Sequence, residues 1–275
     1  MKNQKIAQTT KDQTGRDTIM VRTDKTVRDL MNAEPSSRWN VEYWNPKYVK
    51  NLEKLLSYGF PIKKIGDYEK RLTYGAIVTG KKDYSGNDLL LLNQGEIKFT
   101  GLDLNGAKQI KKNTPWDIER AKVKVGSIVL ARSGIGGVGK NKITLVDKPI
   151  NAVVDSFVDL LDLDGEQINL FYIIVFWKTC FGWLQIERII NGVGTVNISF
   201  DEIRGIKIPV LPDKIQKNIE FEYKKMSVYH DKAMESKKKS NEVEYKNNIE
   251  IAEKMLKDLI AKTEAVIRGE RKDVI

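Results

Sequence analysis

The sequence predicts a mixed α+β domain followed by a long α-helix suited to a coiled coil. Two patterns carry this. Between residues 60 and 211, apolar runs of strand length bounded by Gly, Asp or Asn mix with one longer apolar segment, without the regular spacing of a βαβ repeat. At Pro212 the pattern changes to a highly charged stretch with a helical apolar seam. Charge separates the same two parts. From Asp213 onward, 15 Lys+Arg face 13 Asp+Glu, a net +2, so +8 of the overall +10 belongs to residues 1–212. The positive field sits on the globular part, which favours a polyanionic partner, nucleic acid before membrane surface.

Taken in order, residues 1–37 are polar and rich in Thr, Lys, Asp and Gln, and are expected to form a weakly structured extension. A globular domain is expected over 38–212. It opens with a helix whose first turn holds Pro46, whose seam is Tyr48, Leu52, Leu55 and Leu56, and which Gly59 ends. Short strands follow in FPIKKIGDY, YGAIVTG and LLLLNQGEIKFTGLDL, then in VKVGSIVLARSG and KITLVDKPINAVVDSFVDLLDLDG. INLFYIIVFWKTCFGWLQIERIIN, too long for one strand and aromatic on several sides, reads as one largely buried helix. A flexible turn at Gly192-Val193-Gly194-Thr195 leads to a strand over 206–211, and Asp213 with Gln216 reads as a capping box.

Residues 213–275 hold the helix. If continuous over 213–268 it would span about 80 Å. Its seam runs through Ile215, Ile219, Met226 and Tyr229, and again through Ile249, Leu256, Leu259 and Val266, and these residues are expected to meet a partner helix, in a homodimer, the alternative being an amphipathic helix lying on its own domain. SKKKSNEVE, from Ser236, interrupts the seam and predicts a break, bend or stutter over 236–244.

Several chemistries are disfavoured. One cysteine, Cys180, in an apolar context reads as a buried thiol; one histidine, His230, on the helix reads as a surface residue. Single copies of each disfavour disulfide frameworks, thiolate zinc sites and Ser-His or Cys-His nucleophiles within one chain. The N-terminus is polar and the longest apolar run, LFYIIVFW, is far short of a membrane span, so a cytoplasmic protein is expected.

The segment from Gly134 to Lys140 nearly spells a phosphate-binding loop, but Asn141 replaces the hydroxyl ligand to magnesium. KITLVDKP follows in place of a helix. The alternative is a glycine-rich hairpin loop whose backbone approaches a phosphate chain. Asn45-Pro46-Lys47-Tyr48 is similar to the N-P-P-Y element of DNA amino-methyltransferases, yet lacks its second proline and a cofactor loop before it. Asp159, Asp162 and Asp164 lack the lysine of a metal-dependent nuclease and read as a solvated turn. No metal, cofactor or catalytic residue is expected. The residues expected to contact DNA are Lys81, Lys82, Lys111, Lys112, Arg132, Ser133, Lys140, Asn141, Lys142, Arg188, Asn191 and Thr195: basic and amide side chains on loops, suited to phosphates and base edges.

RWNVEYWNPKYVKNLEKLL, GEIKFTGLDL, VKVGSIVLARSG with its glycine loop, and INLFYIIVFWKTCFGWLQIERIINGVGTVNISFDEIRGIKIPVLPDKIQKNI together resemble the target recognition domain of type I restriction–modification specificity subunits. Ser127 stands where that family usually has Asp. The resemblance covers residues 38–270 and implies half of a two-domain subunit, one reader plus one helix, without chemistry of its own. It implies double-stranded DNA as ligand, adenine methyltransferase subunits as partners, a restriction or translocase subunit beyond them, and self-pairing to read a bipartite site. Two other readings remain: a nucleotide-binding or nuclease enzyme using loop 134–140, and an assembly protein whose helix mediates contacts and whose charge is incidental.

Overall fold

A short helix with almost no solvent contact lies at the centre of the structure, a computed structural model that describes residues 7–11, 17–21, 41–79, 83–192 and 196–275. The first two segments are strands β1 (Ala7–Lys11) and β2 (Asp17–Val21), paired antiparallel, where the sequence predicts weak structure. Helix α1 (Pro46–Ser57) forms as expected. The Asn45 side chain accepts from the Lys47 amide, Pro46 occupies the first turn, and Gly59 follows at φ +81°.

The remaining strands are β3 (Ile62–Lys64), β4 (Glu69–Tyr74), β5 (Leu89–Leu92), β6 (Lys108–Ile110), β7 (Ile128–Ala131), β8 (Ile143–Leu145), β9 (Ala152–Val154), β10 (Val158–Leu163) and β11 (Lys207–Pro209). A four-stranded antiparallel sheet has the order β4-β10-β7-β8, and a three-stranded one the order β6-β5-β9, with β5 and β9 parallel. β11 pairs with β3. The four-stranded sheet is the middle layer. Ile128, Leu130, Leu161 and Leu163 face the helices, while Val129, Val158 and Leu160 face the three-stranded sheet. Burial on both faces explains why these strands read as unbroken apolar runs.

The long apolar segment is two helices rather than one: α2 (Leu170–Lys178) and α3 (Cys180–Ile189). Thr179 ends the first and caps the second, its hydroxyl accepting from the Gly182 amide at 3.1 Å. Tyr172 to Trp177 are all at most 2% exposed, each such side chain contributing roughly 1.5–3 kcal/mol of burial. A one-turn helix, α4 (Phe200–Arg204), follows with a Ser199–Glu202 capping box.

The C-terminal region is a helical hairpin and not a rod. Helices α5 (Asp213–Lys238) and α6 (Glu242–Ile267) pack antiparallel across a turn at 239–241, inside the polar interruption. The seam therefore finds its partner in the same chain. Ile219, Met226, Leu256, Leu259 and Val266 are buried in the core that also holds α2; Ile215 and Tyr229 pack at its edge, and Ile249 is half-buried. This corrects the expectation that these residues wait for a helix from another copy. The capping box at Asp213 is also corrected. Pro212 holds the cap position without a side-chain bond, and Gln216 instead accepts from the Asn169 amide and donates to the Leu211 carbonyl.

His230 is buried rather than exposed, because α5 docks on the turn of GEIKFTGLDL. Its Nδ1 lies 2.9 Å from Thr100 Oγ1 and its Nε2 2.9 Å from the Leu102 carbonyl. A carbonyl can only accept, so Nε2 donates. Gly101 leaves room for the ring: a Cβ there would stand 2.7 Å from Nε2. Asn105 to the Met234 carbonyl and Lys237 to Asp103 complete the clamp. His230→Ala is expected to destabilise the protein by about 2 kcal/mol, since it orphans two groups and leaves a hole. Urea denaturation measures this, with faster amide exchange expected at residues 98–105.

Cys180, expected inside, is exposed at the α2–α3 corner, with Glu264 beside it. Partial burial of the sulfur, then Glu264, push its thiol up to about 11, so it is a poor nucleophile. No described helix is long and apolar enough to cross a membrane.

Candidate nucleic-acid interface

The chain folds so that loops from several elements meet where β4, β5, β7 and β9 end. Gly75 follows β4 and approaches Val154 so closely that a Cβ would lie 1.8 Å from its carbonyl oxygen. The Asp155 amide donates to the Leu92 carbonyl, and the Arg132 amide to that of Phe157. Gln94 Nε2 donates to the same Phe157 carbonyl. Residues 132–142 thus sit against Gln94 and Phe157, and residues 75–76 against Val154 and Asp155.

The turn containing Gly192 joins them. Asn191 and Asn197 exchange backbone hydrogen bonds, Ser133 bridges to Asn197, and the Gly134 amide donates to the Val196 carbonyl at 2.8 Å. Two stretches singled out separately in the sequence, Arg132–Lys142 and Asn191–Asn197, are therefore neighbours. Within them Lys140 and Asn191 are exposed, Arg132, Asn141 and Lys142 half-buried, and Ser133 buried. Lys142 donates to the Gln94 carbonyl, and burial lowers its ammonium below the ordinary lysine value. Phe157 and Ile135 stand exposed beside these polar groups.

Other expected residues lie elsewhere. Lys111 and Lys112 are exposed at the opposite end of β5, where Leu89 pairs with Ile110 and the Lys112 amide meets Asp88. Arg188 is engaged within the fold: its Nε donates to the Tyr43 carbonyl and its guanidinium stacks 3.9 Å from the Tyr43 ring. Lys81, Lys82 and Thr195 lie outside the described residues.

Loop 134–140 engages most of its amides within the fold. Gly137 and Gly139 donate to the Gly134 carbonyl, Lys140 to Gly137 and Asn141 to Val138. Asn141 takes φ +49°, a conformation amide side chains tolerate, and β8 follows instead of a helix. Gly137 is required for space, since a Cβ would meet the Ser133 carbonyl oxygen at 2.4 Å. The loop is a compact hairpin that places Lys140 outward.

The acidic run is corrected too. Asp159 and Asp162 lie on β10 and not in a solvated turn, paired with Arg132 and Arg71; Asp164 follows in a turn and meets Lys70. Ser127 donates to Asp162, which gives the serine a local structural role. No group of three His, Cys, Asp or Glu among the described residues could hold a metal.

Sequence reasoning missed an arginine–aromatic stack beside the loops. The Arg132 guanidinium carbon lies 4.2 Å from the Tyr74 ring and 5.2 Å from that of Phe200, and Arg120 stacks 4.8 Å from Tyr74. Below them Asp159 is fully buried. Burial pushes its carboxyl up to about 7, against the opposing pull of Arg132. These residues come from five distant segments, so no local pattern announces them.

No family model matches the chain, and no curated protein matches it. Among solved structures, the chain is similar to the type I restriction–modification system S subunit from M. genitalium, over 64% of this chain and 40% of that one, with 18% identity and a TM-score of 0.44. It is similar to the HsdS subunit from Thermoanaerobacter tengcongensis, over 84% and 53%, with 9% identity and a TM-score of 0.41. It is also similar to the type IIG restriction endonuclease BpuSI, over 88% and 36%, with 11% identity and a TM-score of 0.47. The chain spans between about a third and just over half the length of these structures.

Proposed function

We propose that the chain is a DNA-reading specificity subunit of a restriction–modification assembly, without chemistry of its own. The observation that carries this is that the loop bearing Arg132, Lys140 and Lys142 is tied through Ser133 and Gly134 to Asn197 and Val196, and so to Asn191, at one end of the sheets. Flexible and fixed cations, amides and glycine-permitted backbone stand there on one rigid platform, as phosphate and base contacts require. The resemblance in sequence supplies the kind of assembly. Its partners would be adenine methyltransferase subunits and, through them, a restriction or translocase subunit.

A partner that engages the helices meets their outer faces, where Phe221, Val228 and Ile251 are exposed, since the seam is filled. Two copies would present two readers to a bipartite site. Because Met226 and Leu256 are already buried within one chain, such a dimer uses those outer faces or exchanges helices. Light scattering that finds only monomer at all concentrations would remove the self-paired form.

The experiment is duplex binding as a function of salt. Log affinity is expected to fall steeply with log salt, by roughly 0.9 per phosphate contacted, and Lys140→Ala to lower that slope by about one contact. An enzyme using loop 134–140 would instead bind nucleotide and lose that binding in the same variant. A flat salt response would argue against a phosphate-dominated face.

A further inference from the structure

Arg132 is held in a way that surface cations are not. It leaves the end of β7 with its guanidinium against both Tyr74 and Phe200, whose neighbouring ring centroids are 6.1 Å apart. Nη1 donates to Asp159 Oδ1 at 3.0 Å. Among the described residues nothing else takes a hydrogen bond from this side chain, which leaves the Nε–Nη2 edge open, and the side chain is 30% exposed. Arg120 stacks on Tyr74 as well, held by Thr73 Oγ1 at 3.1 Å.

The arrangement does little for the fold. Asp159 is completely buried and its Oδ2 has no hydrogen-bond partner. A buried ion pair with an unsatisfied oxygen is a poor source of stability, and hydrophobic residues of similar volume would serve better. What it achieves is orientation: the guanidinium plane is fixed by rings and the fork is turned by the carboxylate. Rigid, in-plane donors select a rigid, in-plane pair of acceptors. Lys140, exposed and flexible, suits the backbone phosphates instead.

We propose that Arg132 is a base-reading residue of this surface and that it reads guanine, through the O6 and N7 acceptors of the major-groove edge, with Asp159, Tyr74 and Phe200 as its positioning residues. The assignment rests on the DNA-reading function proposed above and specifies one base of the site.

The test begins with duplexes selected from a random pool by the wild-type protein. One enriched position is expected to be guanine. Arg132→Lys, which keeps the charge and loses the fork, is expected to reduce discrimination there by about 10- to 100-fold while leaving the salt slope unchanged. Asp159→Asn is expected to weaken the same preference without changing the base preferred. Should a variant fold poorly, a duplex carrying 7-deazaguanine at that position probes the wild-type protein directly, with a loss of about tenfold expected. Enrichment without any Arg132-dependent guanine, or a uniform loss across sequences with a slope reduced by about 0.9, would overturn the assignment and leave DNA reading intact. A wild-type protein that enriches no sequence would overturn both.

Discussion

Lys178→Met is expected to make the protein more stable at pH 6, by about 2–4 kcal/mol, and to lose that advantage as pH rises toward 10. Lys178 lies at the end of α2 and donates to the Ile143 carbonyl at 2.9 Å, near the Phe99 ring. No carboxylate pairs with it among the described residues. Burial lowers its ammonium from 10.5 to about 7. Below pH 7 the lysine is charged in both folded and unfolded chains, and the folded state carries the full cost of a buried charge. Between pH 7 and 10.5 the unfolded chain binds the extra proton, so wild-type stability rises with pH across that window. Roughly 1.4 kcal/mol per pH unit sets an upper bound of about 5 kcal/mol on this relief. Methionine removes the charge and keeps the volume, but gives up one hydrogen bond worth about 1 kcal/mol. Urea denaturation of both proteins at pH 6 and pH 9.5 reads the difference. A gain that is equal at both values would show that the charge is not the cause.

Gly182→Ala is expected to be severely destabilising for a single added methyl, costing more than about 3 kcal/mol. Gly182 sits in the first turn of α3, where the chain folds back after Thr179. A Cβ there would lie 2.3 Å from the Phe176 carbonyl oxygen and 2.7 Å from the Trp177 Cα. These are backbone atoms of a helix whose side chains are almost all buried, so neither side can yield. Gly139→Ala is the matched control. A Cβ at that position finds nothing nearer than 3.8 Å and the backbone is not left-handed, so stability should stay within about 0.5 kcal/mol. The contrast is read from denaturation midpoints of the three proteins.

What the sequence made legible was local. Asn45, Pro46 and Gly59 mark α1 because capping and left-handed φ depend on neighbouring residues alone. The glycines of 134–139 and Gly192 mark turns for the same reason, and their adjacency follows only from how β7 and α3 pack. The helical seam after Pro212 was visible as a period, but a period does not say which chain supplies the partner. The turn that decides it carries no glycine: Ser240 adopts φ +58° itself. Tertiary contacts overrode the expectations for single residues. His230 is buried because Gly101 makes room for it, and Cys180 is exposed because Thr179 breaks the helix just before it. The arginine stack drew on positions 74, 120, 132, 159 and 200, which only the sheet order β4-β10-β7 and the following hairpin bring together.

The end of the sheets that carries residues 132–142, 191–192 and 196–197 is proposed to read DNA. Selection from random duplexes with the wild-type protein, alone and with an adenine methyltransferase subunit, measures this most directly. An enriched sequence is predicted, diminished when Arg132, Lys140 and Lys142 are replaced together and unaffected when Lys111 and Lys112 are. A pool that stays random under both conditions, or an enriched sequence indifferent to the first set of replacements, would contradict it.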